Sequence, residues 1–290
     1  MRVRGFWTSR AILGTVMALL IAALPGPAAA QSAWDQILST GKLRMGVMPG
    51  RPPAVWKSPA TNTWEGFNVE FARDVVKALS REMGKPIQLD YVETSWATVV
   101  LDIQSNRLDA LFGMSETEER KKAIDMAGPL YHLAHCYVNR KGLADGQGEK
   151  LKAWADYSRP EVKVATVMGT SDEAAIRLLS PKATILALKT EAEAILSVQS
   201  GRADAYGTSV ITCLQVLKSN PTFGNITFPT PIKSLPSSAG MRKDGDGRFH
   251  RFMQKWAEEN RGNGSTKRWI ISSVRLAGLN PDDLPQELGF

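Results

Sequence analysis

The sequence predicts an α/β protein with two similar lobes, each a β-α-β-α-β unit, joined by a hinge of two strands. A short phrase occurs twice: positions 106–111 read Asn-Arg-Leu-Asp-Ala-Leu, and positions 201–206 read Gly-Arg-Ala-Asp-Ala-Tyr. The same alternation of strand and helix patterns precedes both copies. Two further strand patterns connect the halves, and helix patterns follow at the end of the chain. The alternative is a chance similarity between two ordinary α/β segments.

The first half alternates short apolar runs with helical patterns. Phe71, Val75 and Leu79 recur at the four-residue spacing of one helical face, and charged residues fill the other face. We therefore predict, in order, a strand over 43–47, a helix through Phe71, Val75 and Leu79, a strand over 87–92, a helix through Trp96, Val99, Val100 and Ile103, and a strand over 108–112.

The second half repeats this order. We predict a strand over 162–167, a helix through Ala175, Leu178 and Leu179, a strand over 184–188, a helix through Ala192, Ile195, Leu196 and Gln199, and a strand over 203–207. Parallel strands with crossover helices place their ligands beyond the carboxyl ends of the strands, and two such lobes facing each other form a cleft. A small-molecule site is therefore expected between the lobes.

Strand patterns near 131–138 and 238–242 cross between the lobes and form the predicted hinge. The helix patterns beyond the second of these strands must then return to the first lobe and complete it. Lobe 1 is accordingly predicted to comprise residues 31–131 and 239–290, and lobe 2 residues 132–238.

The first thirty residues have the organisation of a signal peptide. Three arginines precede an apolar run over 11–24, and the leader ends in three consecutive alanines at 28–30, the small side chains that signal peptidase requires. Cleavage after Ala30 is expected to leave Gln31 as the first residue. No cysteine stands there to carry a lipid anchor, and no comparable apolar run follows.

Charge excludes one class of function. The chain has 36 basic and 29 acidic residues; three of the arginines lie in the leader, so the mature chain has 33 basic residues and a net charge of +4. Those charges are spread along the sequence without a basic run, which argues against nucleic-acid binding.

Two cysteines and two nearby histidines leave questions open. Cys136 and Cys213 allow a single pairing, and an oxidising compartment permits a disulfide, but the sequence does not place their Cα atoms within bridging distance. His132 and His135 could join Cys136 in binding a metal. Because positions three apart in a strand point to opposite faces, we expect no metal site there.

Three segments carry a resemblance to a known family. Pro52-Pro53 follow the first strand, residues 66–71 read Gly-Phe-Asn-Val-Glu-Phe at the start of a helix, and residues 113–120 read Gly-Met-Ser-Glu-Thr-Glu-Glu-Arg after the third strand. These motifs resemble the extracellular solute-binding proteins of polar amino-acid uptake systems, and the resemblance covers essentially the whole mature chain. Asn68 departs from the pattern, since an acid is usual there.

This resemblance implies a type II periplasmic binding protein fold, and we expect a monomer without a cofactor. Because an exported binding protein without an anchor needs an enclosing compartment, we expect it in the periplasm. It further implies that the protein captures a polar amino acid or a related small carboxylate and delivers it to an inner-membrane ABC permease. One rival is an enzyme on the same scaffold, such as a cyclohexadienyl dehydratase-like lyase, with Glu116 as the available general acid. Another is the sensory input of a larger receptor.

Arg120 is the candidate anchor for a ligand carboxylate. A carboxylate in a cleft needs donors in place of water, and a guanidinium offers a planar, bidentate and permanently charged one. Arg120 follows the carboxyl end of a strand. The resemblance adds Ser115 as a hydroxyl donor and Gly113 as a carbonyl acceptor for an ammonium group, with Met114 between them.

The alternative for Arg120 is a surface salt bridge to Glu116 or Asp125. Thr117 is expected to cap the short helix that contains Arg120, because threonine is a favoured N-cap residue.

The second lobe offers a helix start that could face the ligand. Gly169, Thr170 and Ser171 lie between a strand and a helix, and Thr170 and Glu173 have the spacing of a capping box. Backbone N–H groups at such a start attract an anion, and the resemblance places this turn over the ligand carboxylate. The alternative is a plain helix cap, and the charges of Asp172 and Glu173 weaken the attraction.

Aromatic residues could hold the body of the ligand. Trp96 matches the position of a ring platform in the resembling family, and its alternative is a core residue on a helix face. Ala54 stands where a second ring often follows Pro-Pro. Trp56, two residues on, could replace that ring.

The acid that commonly binds the ligand ammonium in the resembling family is missing. Thr208 and Ser209 occupy the end of that strand, and Asp204 at its start is expected to be structural. Either another acid, such as Asp172 or Glu116, binds the ammonium, or the ligand lacks an ordinary α-amino group.

Overall fold

The computed structural model describes residues 31–143 and 151–285. The predicted signal peptide lies outside these residues. The fold described below is that of the described residues from Ser32 onward. None of the helices in the described part of the chain is long and apolar enough to cross a membrane.

The described residues form a mixed α/β structure. Its strands are β1 (Lys42–Val47), β2 (Trp56–Lys57), β3 (Trp64–Glu65), β4 (Gln88–Glu93), β5 (Ala110–Ser115), β6 (Asp125–Arg140), β7 (Lys163–Val167), β8 (Thr184–Leu188), β9 (Ala205–Ser209), β10 (Gly224–Thr227) and β11 (Ser234–Met241). Its helices are α1 (Ala33–Thr40), α2 (Phe67–Glu82), α3 (Val99–Gln104), α4 (Glu118–Ala123), α5 (Trp154–Tyr157), α6 (Ser171–Leu179), α7 (Glu191–Gln199), α8 (Val210–Ser219), α9 (Arg248–Gly262) and α10 (Ser265–Leu276), followed by a 3₁₀ turn over Pro281–Asp283.

Lobe 1 is built on the parallel strands β4, β1 and β5, with Met45 of β1 beside Tyr91 of β4 and Ala110 of β5. Phe71, Val75 and Leu79, the predicted apolar face of α2, are all fully buried. The three predicted strands are present, with ends displaced by at most three residues.

Lobe 2 repeats this arrangement with the parallel strands β8, β7 and β9. Both predicted helices, α6 and α7, are present, but two of the leucines that marked them do not lie on the packed side. Leu178 and Leu196 are 79% and 62% exposed, whereas Ile176 and Ala194 are fully buried. Each of these short helices carries more apolar residues than the sheet can cover. The helical pattern alone therefore did not determine which face packs against the sheet.

The repeated phrase has the same structural task in both lobes. Asp109 precedes β5, and its carboxylate accepts a hydrogen bond from the backbone N–H of Arg44 at 2.7 Å. Asp204 precedes β9, and its carboxylate accepts one from the backbone N–H of Lys163 at 2.9 Å. Each aspartate thus ties the start of the third strand to the first strand of its lobe. The structural interpretation of Asp204 is confirmed.

Two antiparallel strands, β11 and β6, lie between the lobes in a sheet of order β4-β1-β5-β11-β6-β9-β7-β8. The earlier part of β6 pairs with β11, and its later part pairs with β9 and β10. Both strands begin earlier than predicted, β6 at Asp125 rather than near Tyr131 and β11 at Ser234 rather than near Ser238, because the two pair with each other from Asp125–Met241 to Ala134–Ser234. The preceding helix, α4, already ends at Ala123.

The C-terminal helices pack on lobe 1. Trp256 of α9 and Trp269 of α10 lie edge-on to Phe71 of α2, with ring centroids 6.3 and 5.8 Å away. The indole N–H of Trp256 also donates to the Asp74 carboxylate at 2.9 Å. These contacts agree with a C-terminal segment that returns to lobe 1, while the exact lobe boundaries remain a prediction.

The open question about the cysteines is answered. Cys136 of β6 and Cys213 of α8 form a disulfide between Cα atoms 6.7 Å apart. The bond fastens a helix of lobe 2 to the central strand.

Candidate ligand-binding site

A cavity lies where the carboxyl ends of both sets of parallel strands meet. Each strand end contributes a residue to its wall, and these are Arg51 after β1, Trp96 after β4, Ser115 at the end of β5, Ser171 after β7, Glu191 after β8 and Ser209 at the end of β9. This is the place that parallel strands of two facing lobes predict.

Arg120, on α4, is not part of the cavity wall, but its guanidinium contacts two residues that are, Ser115 and Trp96. Thr117 caps the helix as predicted, with its hydroxyl accepting a hydrogen bond from the Arg120 N–H at 3.3 Å. The guanidinium donates to the Ser115 carbonyl at 3.0 Å and to the Gly169 carbonyl of lobe 2 at 3.4 Å. Only 7% of the residue is exposed, and burial lowers the pKa of the guanidinium, an effect that the charge of Asp172 opposes.

Within the described residues, no carboxylate lies within 4.0 Å of the Arg120 guanidinium, so the alternative of a salt bridge to Glu116 or Asp125 is not formed. Glu116 instead accepts a hydrogen bond from the Ser238 hydroxyl. A buried guanidinium held only by neutral carbonyls is well suited to receive a carboxylate.

Gly113, Met114 and Ser115 share strand β5 but differ in orientation. Gly113 and Ser115 line the cavity. Met114 is fully buried in a core cluster of lobe 1, because alternate residues of a strand face opposite sides. Its side chain therefore lies away from the cavity.

The helix start in lobe 2 is more fully occupied than the sequence indicates. The Thr170 hydroxyl accepts from the Glu173 N–H and donates to the Val167 carbonyl. The Glu173 carboxylate reaches the Gly169 N–H at 2.8 Å rather than that of Thr170, so the predicted capping box is only half formed. At this helix start, the N–H groups of Ser171 and Asp172 have no hydrogen-bond partner among the described residues.

Ser171 connects the two lobes directly. Its hydroxyl donates to the Ser115 hydroxyl at 2.8 Å. Together with the bond from Arg120 to Gly169, this brings the carboxyl end of β5 against the start of α6. A ligand carboxylate between them could meet donors from both lobes.

Trp96 lies in the turn before α3, not inside the helix as predicted, because α3 begins only at Val99. The guanidinium carbons of Arg51 and Arg120 lie over its ring, 5.4 and 5.1 Å from the centroid. Trp96 is half-buried, lines the cavity and also packs against the lobe 1 core. The ring thus supports two cations of the site.

The residue after Pro-Pro, Ala54, lines the cavity. Trp56 lies in β2 and is not part of the cavity wall, so it does not replace the missing ring.

The end of β9 offers no free hydroxyl. Ser209 caps α8 and its hydroxyl hydrogen-bonds that of Thr212 at 3.0 Å. The Thr208 hydroxyl donates to Asp172 at 3.4 Å. Asp172 lines the cavity and also accepts a hydrogen bond from Nδ1 of His135 at 2.9 Å.

Sequence reasoning missed two charged residues of the cavity, Arg51 and Glu191. Burial raises the pKa of the Glu191 carboxyl, while the nearby charge of Arg51 partly opposes the rise. Both residues lie in the loops that follow predicted strands, within four residues of the strand ends, which was the available signal. Asn68 also lines the cavity, and its buried Oδ1 has no hydrogen-bond partner.

Among the described residues, no group of three or more His, Cys, Asp or Glu side chains could hold a metal ion. Cys136 is in a disulfide, and His135 is bonded to Asp172.

The chain belongs to the bacterial extracellular solute-binding proteins, family 3, whose model matches residues 43–269. The glutamine-binding protein GlnH of an ABC transporter of Bacillus subtilis (strain 168) is 25% identical over 219 residues, covering 70% of this chain and 77% of that protein. The arginine-binding extracellular protein ArtP of the same organism is also 25% identical, over 238 residues, covering 79% and 86%.

Among solved structures, the ancestral amino acid-binding protein AncCDT-1, a precursor of cyclohexadienyl dehydratase, superposes with a TM-score of 0.68. It is 26% identical and the match covers 83% of this chain and 100% of that one. The two-lobe fold is thereby confirmed. Relatives named for glutamine and for arginine are both 25% identical to this chain, so similarity at this level does not select a ligand.

Proposed function

We propose that this protein binds a polar amino acid or a related small carboxylate in the cleft between its lobes and delivers it to an ABC transporter permease. The observation that carries this proposal is the buried guanidinium of Arg120. It is held by the carbonyls of Ser115 and Gly169, and no protein carboxylate within the described residues pairs with it.

A carboxylate beside Arg120 would meet a complementary set of donors. The guanidinium provides charge and a planar fork of N–H donors. The Ser115 and Ser171 hydroxyls lie 2.8 Å from each other, and the first N–H groups of α6 are without hydrogen-bond partners among the described residues. Because these donors come from both lobes, binding would hold the lobes together. This is the behaviour expected of a protein that presents a closed, loaded form to a partner.

Export to the periplasm, cleavage after Ala30 and a monomeric state belong to the same proposal. Mass spectrometry of the exported protein tests the cleavage site, with Gln31 expected as the first residue. Loss of uptake of the bound solute on deletion of the gene tests delivery to a permease.

A thermal-shift screen over amino acids, amines and carboxylates tests the ligand class. Ligand at about 100 times its Kd contributes about 2.7 kcal/mol, which raises the Tm of a protein of this size by about 5–10 °C. The proposal fails if none of the amino acids or carboxylates stabilises the protein.

The alternative is an enzyme on this scaffold, such as a cyclohexadienyl dehydratase-like lyase, and one observation favours it. Burial raises the pKa of Glu191 within the cavity, as general acids require, whereas Glu116 lies outside the cavity wall. Incubation with cyclohexadienyl carboxylates, followed by ultraviolet detection of aromatic product, decides the matter. Product formed by the parent but not by Glu191→Gln would favour the enzyme.

A further inference from the structure

The cleft contains a buried acid that forms no ion pair with a lysine or arginine of the described residues. Asp172 is 7% exposed and lines the cavity. Its Oδ1 accepts a hydrogen bond from His135 Nδ1 at 2.9 Å, and its Oδ2 is 3.4 Å from the Thr208 hydroxyl, a weak contact. Among the residues that the structure describes, no Lys or Arg nitrogen lies within 4.0 Å of either oxygen. A buried carboxylate with so few donors is costly, and a cation would stabilise it.

We propose that Asp172, oriented by His135, binds the ammonium group of the ligand. This inference rests on the proposed function, because it assumes that a carboxylate binds at Arg120. It assigns the amine subsite to the start of α6 instead of the end of β9.

Asp172 is placed correctly relative to the carboxylate site. In an α-amino acid one carbon carries both charged groups, so their protein partners must be neighbours. Ser171, the residue before Asp172, donates to the Ser115 hydroxyl, and the Ser115 carbonyl accepts from Arg120. The acid and the guanidinium are therefore separated by a short chain of contacts across the cleft.

The other candidates for this role are occupied or displaced. The hydroxyl of Ser209 caps α8, and that of Thr208 is directed at Asp172 itself. Glu116 is bonded to Ser238 and does not line the cavity. Glu191 does line it, but the cation whose charge acts on Glu191 is Arg51, whereas Asp172 interacts with Arg120, the proposed partner of the ligand carboxylate.

His135 acts as a positioning residue. It lies on β6, where it pairs with Ser209 of β9, and is 3% exposed. When Nδ1 carries the proton it donates to Asp172 Oδ1 and fixes the carboxylate, leaving Oδ2 available to the ligand. Its other ring nitrogen, Nε2, is buried without a hydrogen-bond partner in the described residues. Among those residues, Asp172 is therefore the one polar partner of the buried ring, which agrees with a role for His135 in orienting Asp172.

Calorimetry with matched probes tests the inference. The probes are L-glutamine with glutaramate, L-glutamate with glutarate, and L-lysine with 6-aminohexanoate, which differ within each pair only by the α-amino group. For the parent protein, the amino acid that binds should lose at least about 100-fold in affinity on deamination, the scale expected for an unpaired buried charge. Asp172→Asn should lower the affinity for that amino acid by about 100-fold, whereas the affinity for its deaminated partner should stay the same or rise.

His135→Leu should lower the affinity for the amino acid by about tenfold and leave the affinity for the deaminated probe unchanged. His135→Gln keeps an N–H donor and should recover part of the lost affinity. Glu116→Gln serves as the matched acid-to-amide control outside the cavity and should change neither probe. Circular dichroism and Tm confirm that each variant is folded.

Three outcomes overturn the inference. The parent could bind both members of a pair equally, Asp172→Asn could weaken both equally, or Glu116→Gln could reproduce the selective loss. Absence of binding by the parent to any amino acid or carboxylate would instead refute the proposed function, so the two failures are distinguishable.

Discussion

Replacing Arg120 by alanine should abolish ligand binding. The substitution removes a fork of donors and the charge that a buried carboxylate needs, while leaving the donors of Ser115 and Ser171 in place. Breaking a buried ion pair costs on the order of 3–5 kcal/mol, which corresponds to a loss of roughly 100-fold to several thousand-fold in affinity. Arg120→Lys keeps the charge but not the planar fork, so it should restore only part of the affinity.

A structural role for Arg120 would give a different result, and the stability of the ligand-free protein separates the two. Arg120→Ala loses hydrogen bonds to two carbonyls but also removes the desolvation cost that lowers the pKa of the guanidinium. These effects oppose each other, so the free energy of unfolding should change by about 1 kcal/mol or less. Denaturant titration of the ligand-free variant measures it.

Arg177→Ala is the matched control, because Arg177 is an exposed arginine of α6 paired with Glu173. It should leave affinity unchanged. Calorimetry that finds Arg120→Ala within about threefold of the parent, a difference under about 0.7 kcal/mol, would refute the assignment of Arg120 as the anchor.

Four further predictions follow from the fold and the cavity. Saturating ligand should reduce the radius of gyration in small-angle scattering, since the hinge strands allow closure; an unchanged profile would contradict a two-lobe clamp. Asp109→Ala should destabilise the protein by about 3 kcal/mol and Asp204→Ala by about 1 kcal/mol in denaturant titrations, because the first carboxylate is buried and the second is partly exposed; equal losses would count against this. Replacing Cys136 and Cys213 together by serine should lower the free energy of unfolding by about 2–4 kcal/mol, because the bond closes a loop with a sequence separation of 77; reducing agent should do the same to the parent and nothing to the variant. Because Arg51 lines the cavity, L-glutamine should bind more tightly than L-lysine by calorimetry, and Arg51→Ala should narrow that difference.

The sequence predicts the two-lobe fold well because its signals are local. Helical spacing marks α2 through Phe71, Val75 and Leu79, and the repeated phrase marks the starts of β5 and β9. What it misses depends on tertiary contacts. The early start of β6 follows from pairing with β11, more than a hundred residues away. The exposure of Leu178 follows from what covers α6, which the helical pattern does not contain.

The candidate site, like the fold, is predicted where the signals are local and missed where it depends on tertiary contacts. The rule that ligands lie beyond strand ends predicts the place, and the guanidinium of Arg120 is found beside it. The rule applies equally to Arg51 and Glu191, yet neither residue belongs to a motif, so only their burial in the cavity identifies them. The pairing of His135 with Asp172 joins two residues 37 positions apart, and no local pattern announces such a contact.

The charges in and beside the cavity are divided between the lobes by sign. Arg51 and Arg120 come from lobe 1, and Asp172 and Glu191 come from lobe 2. Within the described residues these guanidinium and carboxylate groups form no ion pair within 4.0 Å, so the two faces oppose each other across the cleft without neutralising each other directly. An amino-acid zwitterion is itself a dipole, with its carboxylate suited to the first face and its ammonium to the second. Such a ligand would satisfy both faces only when both are close, which makes closure and recognition a single event.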